Sequence, residues 1–159
     1  METVPEALQW ATTLVAQAML AWLGTPMSWQ GDQLGHASGF VAQLHGDCTA
    51  WWPALGLLIA LGGFGALAQV PARRLVPGAA AGVLVMALIN QARLVAVLWT
   101  GVHTPALFGW MHEVLGPLML VAAGAAVVAL TVRGRDRVGM PGARRNDARA
   151  RAAPPAAAA

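Results

Sequence analysis

Three side chains suited to acyl transfer are spread along this 159-residue sequence: Cys48, Arg93 and His112. A cysteine thiolate is a strong nucleophile, a histidine titrates near neutral pH, and an arginine stabilises developing negative charge. Cys48 is the only cysteine, which rules out an internal disulfide and a metal site of the CxxC type. The three residue types together predict nucleophilic attack on a carbonyl group.

Each of these residues also has an explanation that needs no catalysis. A single cysteine among membrane helices commonly packs as a small apolar side chain, and an interfacial histidine is often merely hydrogen-bonded. Arg93 stands in an apolar stretch, where an arginine is costly unless it snorkels to the surface, pairs or faces a polar cavity. The catalytic interpretation therefore depends on the three side chains meeting at one depth.

The stretches that carry these residues are suited to crossing a membrane. The sequence is 57% hydrophobic and 11% charged, with a mean hydropathy of +0.57, outside the usual composition of soluble domains. A bilayer core of about 30 Å needs roughly 20 apolar residues per helix. Such stretches predict an all-α, polytopic bundle of about four transmembrane helices, near residues 7–23, 48–70, 79–99 and 113–132.

These helices bring the reactive residues to one membrane face. Cys48 begins the second span, where helix N-terminal amides and a nearby guanidinium would favour a thiolate, and His112 immediately precedes the fourth. Arg93 lies about 21 Å along the third span, counted from Ala79, in its outer third. Asn90, one turn earlier on the same face, either holds the guanidinium or makes a packing hydrogen bond.

Arginine clusters set the expected orientation in the inner membrane. One cluster lies between the second and third spans and another follows the fourth, and such clusters mark cytoplasmic segments. Their members are Arg73, Arg74, Arg133, Arg135 and Arg137. Both termini are then cytoplasmic, and the segments 24–47 and 100–112 face outward.

Two segments outside the predicted transmembrane helices are more polar or more basic than the helices themselves. Residues 27–47 mix glycine, polar residues and a short apolar alternation around Phe40, which predicts a small hairpin on the membrane surface. Residues 134–159, rich in arginine, proline and alanine, are expected to form a disordered basic tail that touches anionic lipid, after a membrane domain of residues 1–133. Since seven of the ten arginines lie at or beyond Arg133, the charge does not predict a nucleic-acid-binding surface.

The four histidines do not predict a metal site. His36, His45 and His103 are expected to be solvated loop residues, and no pairing with His112 has helical ligand spacing. We therefore expect neither a metal nor a cofactor.

In order and spacing, residues 25 to 120 resemble the exosortase and archaeosortase family of polytopic membrane transpeptidases. In that family a Cys opens a transmembrane helix, an Asn-x-x-Arg follows on the next helix, and a His precedes the last shared helix. The corresponding residues here are Cys48, Asn90-Gln-Ala-Arg93 and Phe108-Gly-Trp-Met-His112. The family's usual Cys-Ser-Gly reads Cys48-Thr49-Ala50, a departure that leaves the subfamily and substrate motif open.

The resemblance implies a cysteine transpeptidase or peptidase that acts on exported proteins with a C-terminal signal: a short motif, a transmembrane helix and a basic cluster. Cys48 would attack the scissile carbonyl, Arg93 would stabilise the oxyanion or the thiolate, and His112 would protonate the departing amine. Two alternatives stay open: a small transporter or channel subunit with Arg93 in an anion path, and a non-catalytic membrane assembly subunit. The oligomeric state is open as well.

Overall fold

The computed structural model of the protein describes residues 6–30, 33–43 and 48–133. Its helical segments are α1 Glu6–Trp22, α2 Trp51–Leu67, α3 Ala72–His103, α4 Pro105–Trp110, a π-helical turn Met111–Leu115 and α5 Gly116–Arg133. The last three segments continue one another as a 29-residue helix, Pro105–Arg133, called the last helix below. The expected count of about four helices is confirmed. The predicted basic tail lies outside the described residues.

A small antiparallel sheet stands where the sequence predicts a hairpin. Its strands pair in the order β1-β2-β3: β1 Ser28–Gln30, β2 Gln33–Gly35 and β3 Val41–Gln43. Leu34 in the central strand is fully buried against α1 and α3. The protein is therefore mainly helical rather than all-α, and the hairpin prediction misses β1 because three-residue strands are too short to show an alternating pattern.

Two helices are long and apolar enough to cross a membrane, α3 and the last helix. In the most apolar 18-residue window of the last helix only 6% is buried, against 39% in α3. A core helix of a soluble protein would be mostly buried, whereas the last helix leaves most of its apolar surface uncovered by the described part of the chain. With 17 residues each, α1 and α2 are shorter, and their crossing of the membrane stays a prediction.

The helices begin at different residues from those predicted. α2 begins at Trp51, with Ala50 as its N-cap, so Cys48 precedes the helix instead of opening it. The last helix begins at Pro105, whose fixed φ suits the first helical position, so His112 lies inside that helix. α3 begins directly after Pro71 and includes both Arg73 and Arg74, because alanine and arginine favour helix and no breaker follows before Pro77.

Two apolar clusters hold these elements together. The sheet-side cluster joins α1, the sheet and α3 through Ala16, Leu20, Met27, Leu34, Leu94, Val95 and Leu98, with Phe40, Ala42 and Cys48 packed against it. The opposite cluster joins α2, α3 and α5 through Leu57, Leu61 and Met86. Gly82 permits the close approach there, since a Cβ at this position would lie 2.8 Å from side-chain carbons of both Leu57 and Val127.

Polar side chains of α1 and α3 bond to backbone carbonyls of other elements. Gln17 Nε2 donates to Met27 O at 2.8 Å and Gln91 Nε2 to Thr12 O at 3.1 Å. Such bonds explain how an apolar helix carries a glutamine, because an amide in an apolar surrounding needs a partner. They fasten α1 to the sheet and to α3.

Candidate functional site

Asn90 connects α3 to the segment that carries Cys48. Its Nδ2 donates a 2.8 Å hydrogen bond to the Cys48 carbonyl oxygen, and the Asn90 side chain is buried at 1% exposure. Because Cys48 precedes the N-cap of α2, this bond fixes a piece of chain that lies outside the helix. The bond joins α3 to the segment that precedes α2, and a role of Asn90 in holding the Arg93 guanidinium stays a prediction.

Two buried polar atoms on one face of α3 have no hydrogen-bond partner among the described residues: Asn90 Oδ1 and Arg93 Nε. Asn90 Oδ1 is a hydrogen-bond acceptor and Arg93 Nε is a donor. The two side chains are neighbours because they lie three residues apart on one helix. Nearly all buried polar atoms in proteins are paired, so two unpaired atoms one turn apart call for a specific explanation. They identify this part of α3 as the best candidate for a functional site.

Arg93 reaches from α3 to the last helix at Gly116. A Cβ on Gly116 would lie 3.1 Å from Arg93 Cδ and 3.0 Å from Met111 O, and it would also contact Arg93 Nε. Only glycine leaves room for the arginine stem here. Gly116 could not be found from the sequence, because nothing in the sequence indicates which residue of the last helix faces Arg93.

His112 lies in the π turn next to this contact, and Pro117 explains why the turn forms. A proline in a helix has no N–H to donate, and its ring clashes with the carbonyl four residues earlier, here Glu113. One extra residue in the turn relieves this clash, and the Gly116 N–H donates to Met111 O, five residues back. π turns occur frequently at functional sites.

Helix geometry puts Arg93 and His112 at similar heights. Arg93 lies ten residues before His103, the end of α3, or about 15 Å. His112 lies seven residues after Pro105, the start of the neighbouring last helix, or about 11 Å. Counted from Ala72, Arg93 is about 32 Å along a helix of about 48 Å.

The structure links the predicted site residues in pairs rather than around one cavity. Asn90 bonds to the Cys48 backbone, while Arg93 contacts the helix that carries His112. The Cys48 side chain is half-buried against the sheet-side cluster, and the exposed His112 ring stacks on Phe108. The meeting of the three reactive groups in a single pocket therefore stays a prediction.

An apolar groove of about 670 Å³ runs between α2 and α5, over Met86 of α3. It is lined by apolar residues, and it extends for about three turns, or about 16 Å, from Pro53 to Phe64 along α2. One end lies at Pro53 and Pro117, the residues nearest in sequence to Cys48 and Gly116. A second cavity, beside the sheet, is lined by His36 and its neighbours. Neither is lined by Cys48, Arg93 or His112.

The remaining described histidines bond to hydroxyl groups. His36 Nδ1 lies 2.9 Å from Ser38 Oγ in the turn after β2. His103 ends α3 instead of lying in a loop, and its Nε2 lies 2.9 Å from Thr25 Oγ1. No group of three or more metal-ligating side chains forms among the residues that the structure describes. His45 lies outside them.

No protein-family model, curated protein or solved structure matches this chain. The resemblance to exosortases therefore rests on the residues themselves and their order. What the site does has to be argued from its own geometry.

Proposed function

We propose that this protein is a membrane-embedded cysteine transpeptidase or peptidase that cleaves the C-terminal sorting signal of exported proteins. The observation that carries the proposal is the Asn90 hydrogen bond to Cys48, made one turn from Arg93. Arg93 in turn lies against Gly116, beside the π turn that carries His112. A nucleophile, a cation and an acid–base group thus come from three elements joined by direct contacts.

In the first half-reaction the Cys48 thiolate attacks the scissile carbonyl carbon and forms a C–S bond. The carbonyl oxygen becomes an oxyanion, which the Arg93 guanidinium stabilises. A permanent positive charge in a water-poor site has a stronger effect on an oxyanion than it would have in bulk water. His112 donates a proton to the amine as the C–N bond breaks, leaving a thioester on Cys48.

In the second half-reaction an amine or a water molecule attacks the thioester carbonyl. His112 accepts the proton of the attacking group, and Cys48 leaves as a thiolate. Transfer to an amine makes the protein a transpeptidase, and transfer to water makes it a protease. No metal or cofactor takes part in either step.

The apolar groove is the part of the protein that we assign to the substrate's transmembrane helix. A Cβ added at Gly56 or at Gly124 would meet nothing within 4 Å, so a facing helix has room to approach both walls closely. Because the groove ends at Pro53 and Pro117, a helix lying in it would bring the residues that precede it toward Cys48.

The two ends of the helix pair support the orientation that we propose in the inner membrane. Arg73 and Arg74 begin α3 and Arg133 ends α5, and a Cβ at Gly78 would contact Thr131, so these arginines share one end. Arginine-rich ends face the cytoplasm. The sheet, Cys48 and His112 then belong to the extracytoplasmic half, and both termini lie inside.

Coexpression with candidate substrates that carry a C-terminal anchor signal tests the proposal. Wild-type protein should shorten the substrate, and Cys48→Ala should leave it at full length. Ala50→Ser, which adds a hydroxyl two residues away, is the matched control and should behave as wild type. Processing of a substrate by Cys48→Ala to the wild-type extent would contradict the proposal.

The buried Nε of Arg93, which has no hydrogen-bond partner within residues 6–30, 33–43 and 48–133, also favours a second candidate: a small transporter or channel subunit in which this cation lines an anion path. The function of such a protein would require the Arg93 guanidinium and would not require the Cys48 thiol. Function retained in Cys48→Ser and lost in Arg93→Ala would support it, whereas loss in both variants supports the enzyme. A non-catalytic assembly subunit would tolerate alanine at Cys48, Arg93 and His112 alike.

A further inference from the structure

Three aromatic rings form a continuous stack that leads from the sheet to His112. The Phe40 and Phe108 rings meet edge to face, with centroids 5.6 Å apart and planes at 68°. The Phe108 and His112 rings are parallel to within 2°, with centroids 5.9 Å apart. Phe40 directly precedes β3, so the stack joins the sheet to the π turn.

Gly101 on α3 makes room for this stack. A Cβ at Gly101 would overlap the ring of Phe40 and would lie 3.0 Å from a ring carbon of Phe108. The two phenylalanine rings therefore lie against a part of the α3 backbone that carries no side chain.

His112 has little else to fix its ring. It is exposed, and within the described part of the chain no hydrogen bond is made by either of its ring nitrogens. Phe108 precedes it by four residues, so the two side chains share one face of the helix. Parallel stacking on Phe108 is thus the contact that sets the plane of the imidazole.

We infer that Phe108 is a positioning residue for His112 and that Phe40 keeps Phe108 in place, so that the sheet determines the orientation of the imidazole. The orientation itself follows from the ring contacts alone. Its importance for turnover rests on the proposed function, in which His112 transfers the proton.

The rate at which diethyl pyrocarbonate acylates His112, followed by mass spectrometry on purified full-length protein in detergent, tests the orientation directly. Phe108→Leu should raise this rate about two- to tenfold, the range expected for losing one aromatic contact. Phe40→Leu should raise it by a smaller factor, while Phe108→Tyr should restore the wild-type rate. His36 and His103 in the same molecule serve as internal references, and Leu107→Ala as a neighbouring control.

An unchanged His112 rate in both leucine variants would overturn the inference. If Phe108→Leu unfolds, the acylation rates of His36 and His103 will rise with that of His112. The His112 rate in Phe40→Leu then tests the inference. Turnover measured on the same variants separates the two proposals. A faster His112 reaction with unchanged kcat would support the inference and contradict the catalytic role of His112. An unchanged His112 rate together with Cys48-dependent cleavage would overturn the inference and leave the proposed cysteine peptidase standing.

Discussion

The Asn90 amide is enclosed by protein, so water does not compete for its hydrogen bond to Cys48 O. Breaking such a bond by removing one partner costs about 1–3 kcal/mol, because the other partner stays buried and unpaired. Gln91 next to it donates a similar bond to Thr12 O, on α1 and away from the site. Asn90 thus holds the segment that carries the proposed nucleophile, whereas Gln91 holds α1.

Asn90→Leu keeps the approximate size of the side chain and removes the amide. We expect both Asn90→Leu and its matched control, Gln91→Leu, to lose about 1–3 kcal/mol of stability in detergent-based unfolding. Only Asn90→Leu should speed maleimide alkylation of Cys48, since only there is the Cys48 segment released. Equal alkylation rates in the two variants would contradict the assignment of Asn90 to the site.

Gly116→Ala inserts a methyl group where the Arg93 stem lies, so the guanidinium must move. A displacement of about 1 Å can reduce turnover about 100-fold. The same substitution at Gly109 meets nothing within 4 Å and provides the control in the same helix. Turnover of Gly116→Ala equal to that of Gly109→Ala would contradict a catalytic role for Arg93.

At the scale of elements, the long apolar runs predict the helices because a run of about 20 such residues has few other stable states in a membrane. The same apolar runs show which segments carry or adjoin Cys48, Asn90, Arg93 and His112. The turn before α2 and the π turn were missed: the first depends on a tertiary bond from Asn90, and the second on Pro117 inside a run that reads as regular helix. Contacts such as Arg93 with Gly116 depend on how two helices pack, which periodicity does not encode.

Pro117→Ala removes the cause of the π turn. With an N–H restored at position 117, the last helix should return to regular α-helical bonding, which rotates His112 by about 100° relative to α5. Stability should rise, because proline inside a helix costs up to about 3 kcal/mol, while activity should fall. Pro77→Ala in α3 is the control, gaining stability and keeping activity. Wild-type activity in Pro117→Ala, measured with its melting temperature, would contradict a role for the turn.

Gly56→Leu adds an apolar side chain to the wall of the groove between α2 and α5, at a position where a Cβ meets nothing within 4 Å. Binding of a substrate's transmembrane helix should weaken, seen as a raised KM and reduced crosslinking to the substrate. Gly63→Leu adds the same side chain to α2 outside the groove and should leave both unchanged. The groove assignment fails if the two variants process substrate equally well.

At the scale of the whole molecule, Arg73, Arg74 and Arg133 lie at one end of the described helices and the sheet with Cys48 lies toward the other. Because Cys48 is the only cysteine, it reports its own side of the membrane. A membrane-impermeant maleimide should label Cys48 in intact spheroplasts, whereas Arg73→Cys in a Cys48→Ala background should need permeabilised cells. The opposite pattern would reverse the proposed orientation and move the site to the cytoplasm.

In the proposed mechanism, Cys48 becomes acylated during turnover. Intact-mass measurement of the purified protein, quenched in acid shortly after mixing with a substrate found by coexpression, tests it most directly. We expect an added mass equal to that of the N-terminal product less one water, located on Cys48, removed by neutral hydroxylamine and absent from Cys48→Ala. Substrate cleaved at the wild-type rate with no mass ever added to Cys48 would contradict the claim.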